Sequence, residues 1–342
     1  MKVLLIAGSY PPAFCGVGEY TANLKHALAA EGIEAKVAAL EGQPDFRYAT
    51  RAGLLQIAHE FKPDIAHLQY PGHAFGATFV PLAFSGLGAC PVLSLHEFRL
   101  SHPLRKAFSM RLVRRARALI VPARTELDAI PGIIRSRKPA EVIPVGPSFA
   151  PAQPPPLGRT PLLRFVFLGF INKSKDLTLW FEVILRLRDS TLPKPFSVFL
   201  GDPMGPESVR RFQGALRKLG LKEVVEILPQ RPASEISGFL LHGAVGFLPF
   251  VDGASPRRTS LLTLLAHGVP VIVPPPVDPS LAGAGGLIAA GTPDSVIREM
   301  RRFAEATYFE SQRRAALQLA ARFSWPEIAR RHRVFYNQIV RV

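Results

Sequence analysis

Short apolar runs alternate with stretches in which apolar positions recur about every three to four residues, and this rhythm runs almost the length of the chain. VLLIA (3–7) is followed by a helical pattern from about Glu19, with Tyr20, Leu24, Ala27 and Leu28 on one face and Gly32 closing it. EAKVAAL (34–40), DIAHLQ (64–69), PVLSL (91–95), ALIVP (118–122) and EVIPV (141–145) carry the pattern on. Strands this apolar, separated by helices, belong to a parallel sheet covered on both faces. GPSFAPAQPPPLGRTP (146–161) then interrupts the rhythm, rich in proline and without periodicity, as a stiff extended connection does.

The alternation restarts with RFVFLG (164–169), FSVFLG (196–201), VVEIL (224–228), AVGFLP (244–249), VPVIV (269–273) and GLIAA (285–289). Helices are predicted at about 292–305 and 308–322. SWPEIARRHRVFYNQIV (324–340) is predicted as a last amphipathic helix, with a serine cap and a proline in its first turn. The expectation is an α/β chain with two Rossmann-like, doubly wound parallel-sheet domains facing a central cleft. Residues 1–150 form the first, 151–161 the linker, 162–323 the second, and 324–342 a closing helix. Open parallel sheets bind ligands beyond the carboxyl ends of their strands, so the informative residues should follow strands directly.

Composition narrows the partners. Lys and Arg number 42 against 26 Asp and Glu, a formal charge of +16 over 342 residues, which points to an anionic partner. Cys15 and Cys90 are too few for a disulfide framework or a cysteine zinc site and fit a reducing compartment. MKVLLIAGSY reads as a first buried strand instead of a signal peptide, and every apolar run is broken by Pro, Gly or charge before it could span a membrane. The expected location is cytoplasmic.

Three post-strand loops carry candidate chemistry. In GSYPPAFCGVGEY (8–20), Gly16 and Gly18 stand at a helix N-terminus, where bare backbone N–H groups suit either a phosphate or a tight structural turn. The loop lacks the third glycine of a dinucleotide fingerprint, which disfavours a nicotinamide enzyme. SLHEF (94–98) places His96 and Glu97 after a strand, whereas His67 reads as a buried, hydrogen-bonded residue. GFINKSKDLTLW (169–180) puts Lys173 and Lys175 at a helix start, and VDGASPRRTSLL (251–262) puts Arg257 and Arg258 at another. Cations oppose the dipole at that end; the arginine pair alone could equally be a solvated surface turn, but a shared anion such as a diphosphate would account for both loops.

The chain resembles the family 4 retaining glycosyltransferases of the two-domain GT-B fold over nearly its whole length. The resemblance rests on SYPPAFCGVGEYTANLKHALAAEG, PDIAHLQY, SLHEF, EVIPVG, LGFINKSKD, LLTLLAHGVPVIV and FSWPEIARRHRVFY. It implies a hexosyltransferase that holds a nucleotide sugar mainly on its second domain, with no metal or other cofactor. Lys175 matches the family's phosphate lysine, Gly16 and Gly18 its diphosphate loop, and His96 the histidine beside the transferred sugar. On the same ground Tyr10, Glu19, Tyr70 and Glu97 fall on the acceptor side, and Phe170, Gln230, Arg231, Ser255, Ser260 and Thr263 near the sugar and nucleoside. The closing helix is expected to cross back to the first domain. The sequence departs from the family at Cys15, where many relatives have glycine, at Phe170, where many have an arginine, and in lacking the paired-glutamate donor motif. Thr263 takes the second glutamate's place and Asp252 the first when counted from Pro249. Arg257 or Arg258 is expected to replace the missing arginine contact, and Asp252 to act near the sugar beside His96.

HPLRKAFSMRLVRRARA (102–118) is a basic amphipathic stretch, readable as a helix peripheral to an anionic membrane or as a solvated helix packed on the sheet. The acceptor is left as a glycan, a lipid-linked glycan or a small molecule in polysaccharide or glycoconjugate assembly. A donor-binding but inactive partner subunit is the alternative. A nucleic-acid-binding protein rests on charge alone, and no specific nucleic acid is expected.

Overall fold

The structure, a computed structural model, describes residues 1–153, 163–172, 174–200, 205–229, 231–283 and 285–340. The linker from 154 onward, Lys173 and Gln230 lie outside the described residues. The chain divides into two units, residues 1–146 with 325–342, and residues 147–324.

The first unit runs β1 (Lys2–Ser9), α1 (Gly16–Ala30), β2 (Glu34–Glu41), β3 (Phe46–Arg47), α2 (Arg51–Phe61), β4 (Ile65–Tyr70), β5 (Cys90–Leu95), α3 (Pro103–Arg115), β6 (Ala118–Val121), α4 (Arg124–Asp128), α5 (Gly132–Arg135) and β7 (Ala140–Val142). Its strands form one parallel sheet in the order β3-β2-β1-β4-β5-β6-β7. Every residue of β4 is buried, as is β1 after Lys2, which is why both read as unbroken apolar runs. The second unit runs β8 (Arg164–Leu168), α6 (Leu177–Arg188), β9 (Phe196–Leu200), α7 (Gly205–Lys218), β10 (Val225–Pro229), α8 (Ala233–Leu241), β11 (Ala244–Phe247), α9 (Thr259–Ala266), β12 (Val271–Val273), β13 (Leu287–Ala289), α10 (Pro293–Arg302) and α11 (Ala306–Ala321). Its parallel order is β10-β9-β8-β11-β12-β13. Both sheets are Rossmann-like, and in each the order reverses beside its first strand, between β1 and β4 and between β8 and β11.

The last helix, α12 (Trp325–Val340), belongs to the first unit. Ile328, Ala329, His332, Phe335, Tyr336 and Ile339 form its buried stripe at helical spacing. Tyr336 and Ser94 flank the imidazole of His67 at 2.6 and 2.8 Å, and Tyr20 of α1 lies 3.4 Å from His332 Nε2. Arg331 bonds Glu141 and the Val142 carbonyl, and Arg333 pairs with Glu31. Gly146, the last residue of the first unit's opening segment, lies under the Trp325 ring: a Cβ there would stand 2.5 Å from it. No described helix is long and apolar enough to cross a membrane.

Two local differences from the sequence pattern matter for the sites. Helix α1 starts at Gly16, not near Glu19, so Gly16 and Gly18 lie within its first turn. β3, a two-residue edge strand paired through Ala38 and Phe46, is too short to leave a periodic signal.

Candidate functional site

In the second unit the sheet order reverses between β8 and β11, and the loops that leave these strands are tied together. Asp176 N–H donates to the Pro249 carbonyl at 2.7 Å, Val251 N–H to the Ser174 carbonyl at 3.1 Å, and Lys175 and Phe250 form an antiparallel bridge. Lys175 is thereby drawn in until only 8% of it is exposed, its Nζ 3.7 Å from the centroid of the Phe250 ring. The Arg258 guanidinium stacks on the same ring at 4.7 Å, so one aromatic side chain orders two cations. Burial, and then the nearby Arg258, push the Lys175 ammonium well below the usual lysine range, while Asp252 opposes the shift.

Asp252 joins both arginines, one carboxylate oxygen to Arg257 and the other to Arg258, with all three side chains almost covered. Burial raises its pKa, but Arg258 and Arg257 outweigh that and leave it below the usual carboxylate range. The cations at the start of α9 are therefore held by an anion from their own loop. Gly253 makes the loop possible. Its φ is +82°, and a Cβ there would sit 1.8 Å from the Pro276 carbonyl oxygen. Ala254 N–H donates to that carbonyl and Asp278 N–H to the Ala254 carbonyl, anchoring the loop to the segment after β12. The two helix starts differ. Asp176 caps α6 by accepting from Leu179 N–H at 2.9 Å, whereas the N-cap of α9 is Arg258, without a side-chain cap bond.

The remaining sequence candidates of this unit separate. Ser255 lies in the same loop, its Oγ buried without a hydrogen-bond partner, and Ser260 packs at the start of α9 against Gly169. Phe170 follows β8 and is 36% exposed. Arg231 is exposed and paired with Glu235, outside these two loops. Thr263 is fully buried on α9. Its hydroxyl donates to the Thr259 carbonyl at 2.8 Å and accepts from Ser148 N–H at 3.0 Å, so both bonding directions are taken by the fold.

In the first unit His96 follows β5. Its Nε2 lies 2.9 Å from Gln69 Oε1, and since an amide oxygen only accepts, Nε2 carries the proton and Nδ1 is the acceptor. Burial and the neighbouring His332 lower its pKa to about 4, keeping the ring neutral near pH 7. Tyr20 meets the ring edge-on at 4.7 Å. Tyr70 is buried at the end of β4 and its carbonyl accepts from His96 N–H, while Glu97 is half-buried in the same turn. Tyr10 is half-buried after β1, and Glu19 is exposed in the first turn of α1. Gly18 serves close packing, because a Cβ would fall 2.7 Å from the Ser9 carbonyl oxygen. At Gly16 a Cβ would meet nothing.

No protein-family model and no curated protein sequence matches the chain. Solved structures do. A glycosyltransferase from Rickettsia africae matches with a TM-score of 0.76 at 11% identity, over 99% of this chain and 98% of its own. HepE from Anabaena, solved with UDP-glucose, matches at 0.73 and 16% over 100% of both chains. The catalytic domain of starch synthase IV from Arabidopsis thaliana, bound to ADP and acarbose, matches at 0.71 and 12%, again over 100% of both. The fold is GT-B. Its two Rossmann-like domains are the two units described above.

Sequence reasoning missed Phe250 and Gln69. An apolar residue at a strand end looks like core until its ring is found between two cations. The glutamine looked like one more strand residue until its amide met His96.

Proposed function

We propose that the protein is a glycosyltransferase that binds a nucleotide diphosphate sugar on its second unit and transfers the sugar to an acceptor hydroxyl. The observation that carries the reading is the junction of the β8 and β11 loops, where Lys175, Arg257 and Arg258 converge around Phe250 and Asp252. A diphosphate meets this arrangement in two ways. It supplies negative charge that favours the protonated form of Lys175, and it competes with Asp252 for guanidinium groups suited to bidentate oxyanion contacts. The solved neighbours include structures holding UDP-glucose and ADP, which supports the ligand class.

In the retaining mechanism implied by the family resemblance, the bond from the sugar's anomeric carbon to the diphosphate breaks as the acceptor oxygen bonds to that carbon on the same face. The acceptor's proton passes to the departing phosphate oxygen. The protein's part is then electrostatic: fixed cations stabilise charge developing on the diphosphate, which is worth several kcal/mol where water is excluded. Neutral His96 offers Nδ1 to a hydroxyl of the sugar or acceptor. We place the acceptor among glycans or other hydroxylated molecules of polysaccharide or glycoconjugate assembly, and the activity in the cytoplasm, where Cys15 and Cys90 stay free.

Thr263 favours a second reading. The position of the family's second glutamate is occupied by a side chain wholly used by the fold, as in a donor-binding subunit without transfer activity. Incubation with a panel of nucleotide sugars and acceptors, with release of nucleoside diphosphate as the readout, separates the two. Release above that of heat-inactivated protein supports transfer or hydrolysis. Binding without release from any donor leaves the partner-subunit reading.

A further inference from the structure

His67 and Gln69 stand two residues apart on one face of β4, the face that α1 and α12 cover. A layer between a sheet and its helices is ordinarily filled by apolar side chains, yet Gln69 and His332 are wholly buried there and Tyr20 is nearly so. The Gln69 amide nitrogen is buried and finds no hydrogen-bond partner among the described residues. An orphaned donor costs stability that a leucine at the same place would not, so packing gives no reason for the glutamine. What the amide does is hold its oxygen 2.9 Å from Nε2 of His96, which is only half-buried where its neighbours are closed off. A second hold on His96 comes from α12. His332 Nδ1 donates to the Ile328 carbonyl at 2.8 Å, which leaves Nε2 as an acceptor for the Tyr20 hydroxyl at 3.4 Å. The Tyr20 ring, with Trp325 5.4 Å away, then meets His96 edge-on at 4.7 Å.

We propose that Gln69, Tyr20 and His332 are positioning residues for His96: the amide fixes its tautomer, and the closing helix, acting through Tyr20, fixes its tilt, so that Nδ1 stands free to accept from the ligand. The proposal rests on the role given to His96 above, and it assigns α12 work beyond closing the first unit. It also sets what His96 recognises. A neutral ring held in this tautomer accepts from a hydroxyl, whereas an imidazolium would donate from both nitrogens and suit a phosphate oxygen. His96 is thereby kept out of the diphosphate contacts and reserved for a hydroxyl of the sugar or acceptor.

Histidine nitrogen NMR of the full chain tests it, since the ring nitrogens report tautomer and titration directly and His96→Asn assigns the signal among nine histidines. Wild-type His96 should carry its proton on Nε2 and titrate only at about 4. Gln69→Glu, which sets a carboxylate at that proton, should raise the titration by about one to three units. Gln69→Leu, which serves if the glutamate variant does not fold, should leave the ring in both tautomers. Tyr20→Leu should also mix the tautomers. Tyr20→Phe, which keeps the ring but loses the bond to His332, should fall between, and His332→Leu should match it. With a donor that the wild type turns over, release of nucleoside diphosphate by Gln69→Glu should fall by up to roughly tenfold at pH 6 and recover as pH rises past the new titration. Unchanged His96 signals in folded Gln69→Leu and Tyr20→Leu would overturn the proposal, as would altered signals with unaltered release. If the wild type releases nothing from any donor, the transferase reading fails by itself, and the imidazole signals alone decide the positioning.

Discussion

Lys175 is held beneath an aromatic ring and beside Arg258, where burial and like charge both oppose its proton. An incoming diphosphate reverses that balance, so the lysine should take up a proton as the ligand binds. Calorimetry of nucleoside diphosphate binding in two buffers of different ionisation enthalpy should show net proton uptake, with affinity falling as pH rises toward the ordinary lysine range. Heats that do not depend on the buffer would show that Lys175 is charged before the ligand arrives. Asp252 gives a second residue-scale test. If the carboxylate competes with the diphosphate, Asp252→Asn should tighten nucleotide binding by severalfold while lowering the melting temperature of the free protein, because two covered guanidinium groups lose their carboxylate. If Asp252 instead aligns the arginines for the ligand, binding weakens. Sequence alone placed the three cations on post-strand loops. It could not show that Asp252 folds back on Arg257 and Arg258, because that contact depends on a φ of +82° at Gly253 and its approach to Pro276.

Among the elements, α1 shows how two glycines with one spelling acquire different work. Gly18 lets the first turn close on the end of β1, whereas Gly16 faces open space. Gly18→Ala should therefore cost about 1–3 kcal/mol of stability, the usual penalty for overpacking, seen as a lower melting temperature. Gly16→Ala should leave stability unchanged or slightly higher through helix propensity, and should weaken nucleotide binding only if phosphate approaches that backbone. Equal effects at the two positions would contradict the packing account. The strand and helix rhythm was legible because the strands are buried on both faces. The true start of α1 was not, because Gly16-Val17-Gly18 has little helix propensity of its own and the turn is set by packing on Ser9. At Thr263 the family resemblance pointed to the residue but not to its occupied hydroxyl, because Ser148 is far from it in sequence.

At the scale of the whole molecule, α12 closes the first unit through buried imidazoles that must stay neutral. Burial holds His332 at about 4 and pushes His67 well below its ordinary value. The unfolded chain therefore binds more protons than the folded one between about pH 6.5 and about pH 4, and stability falls as pH is lowered through that window. His332 alone contributes a loss of up to about 3 kcal/mol. Replacing it by glutamine should flatten the dependence of melting temperature on pH. An unchanged slope would remove His332 from the account. The GT-B architecture was legible from the order of strands and loops even though identities to solved neighbours such as HepE are only 16%, because burial fixes apolar patterning more tightly than it fixes residue identity. The most direct test of the central claim is the dissociation constant of a nucleoside diphosphate for the wild type and for Lys175→Met, which keeps the packing on Phe250 and removes the cation. A loss of roughly tenfold or more at equal melting temperature is the expected result. Equal affinity in a folded variant would contradict a diphosphate site at the β8 and β11 loops.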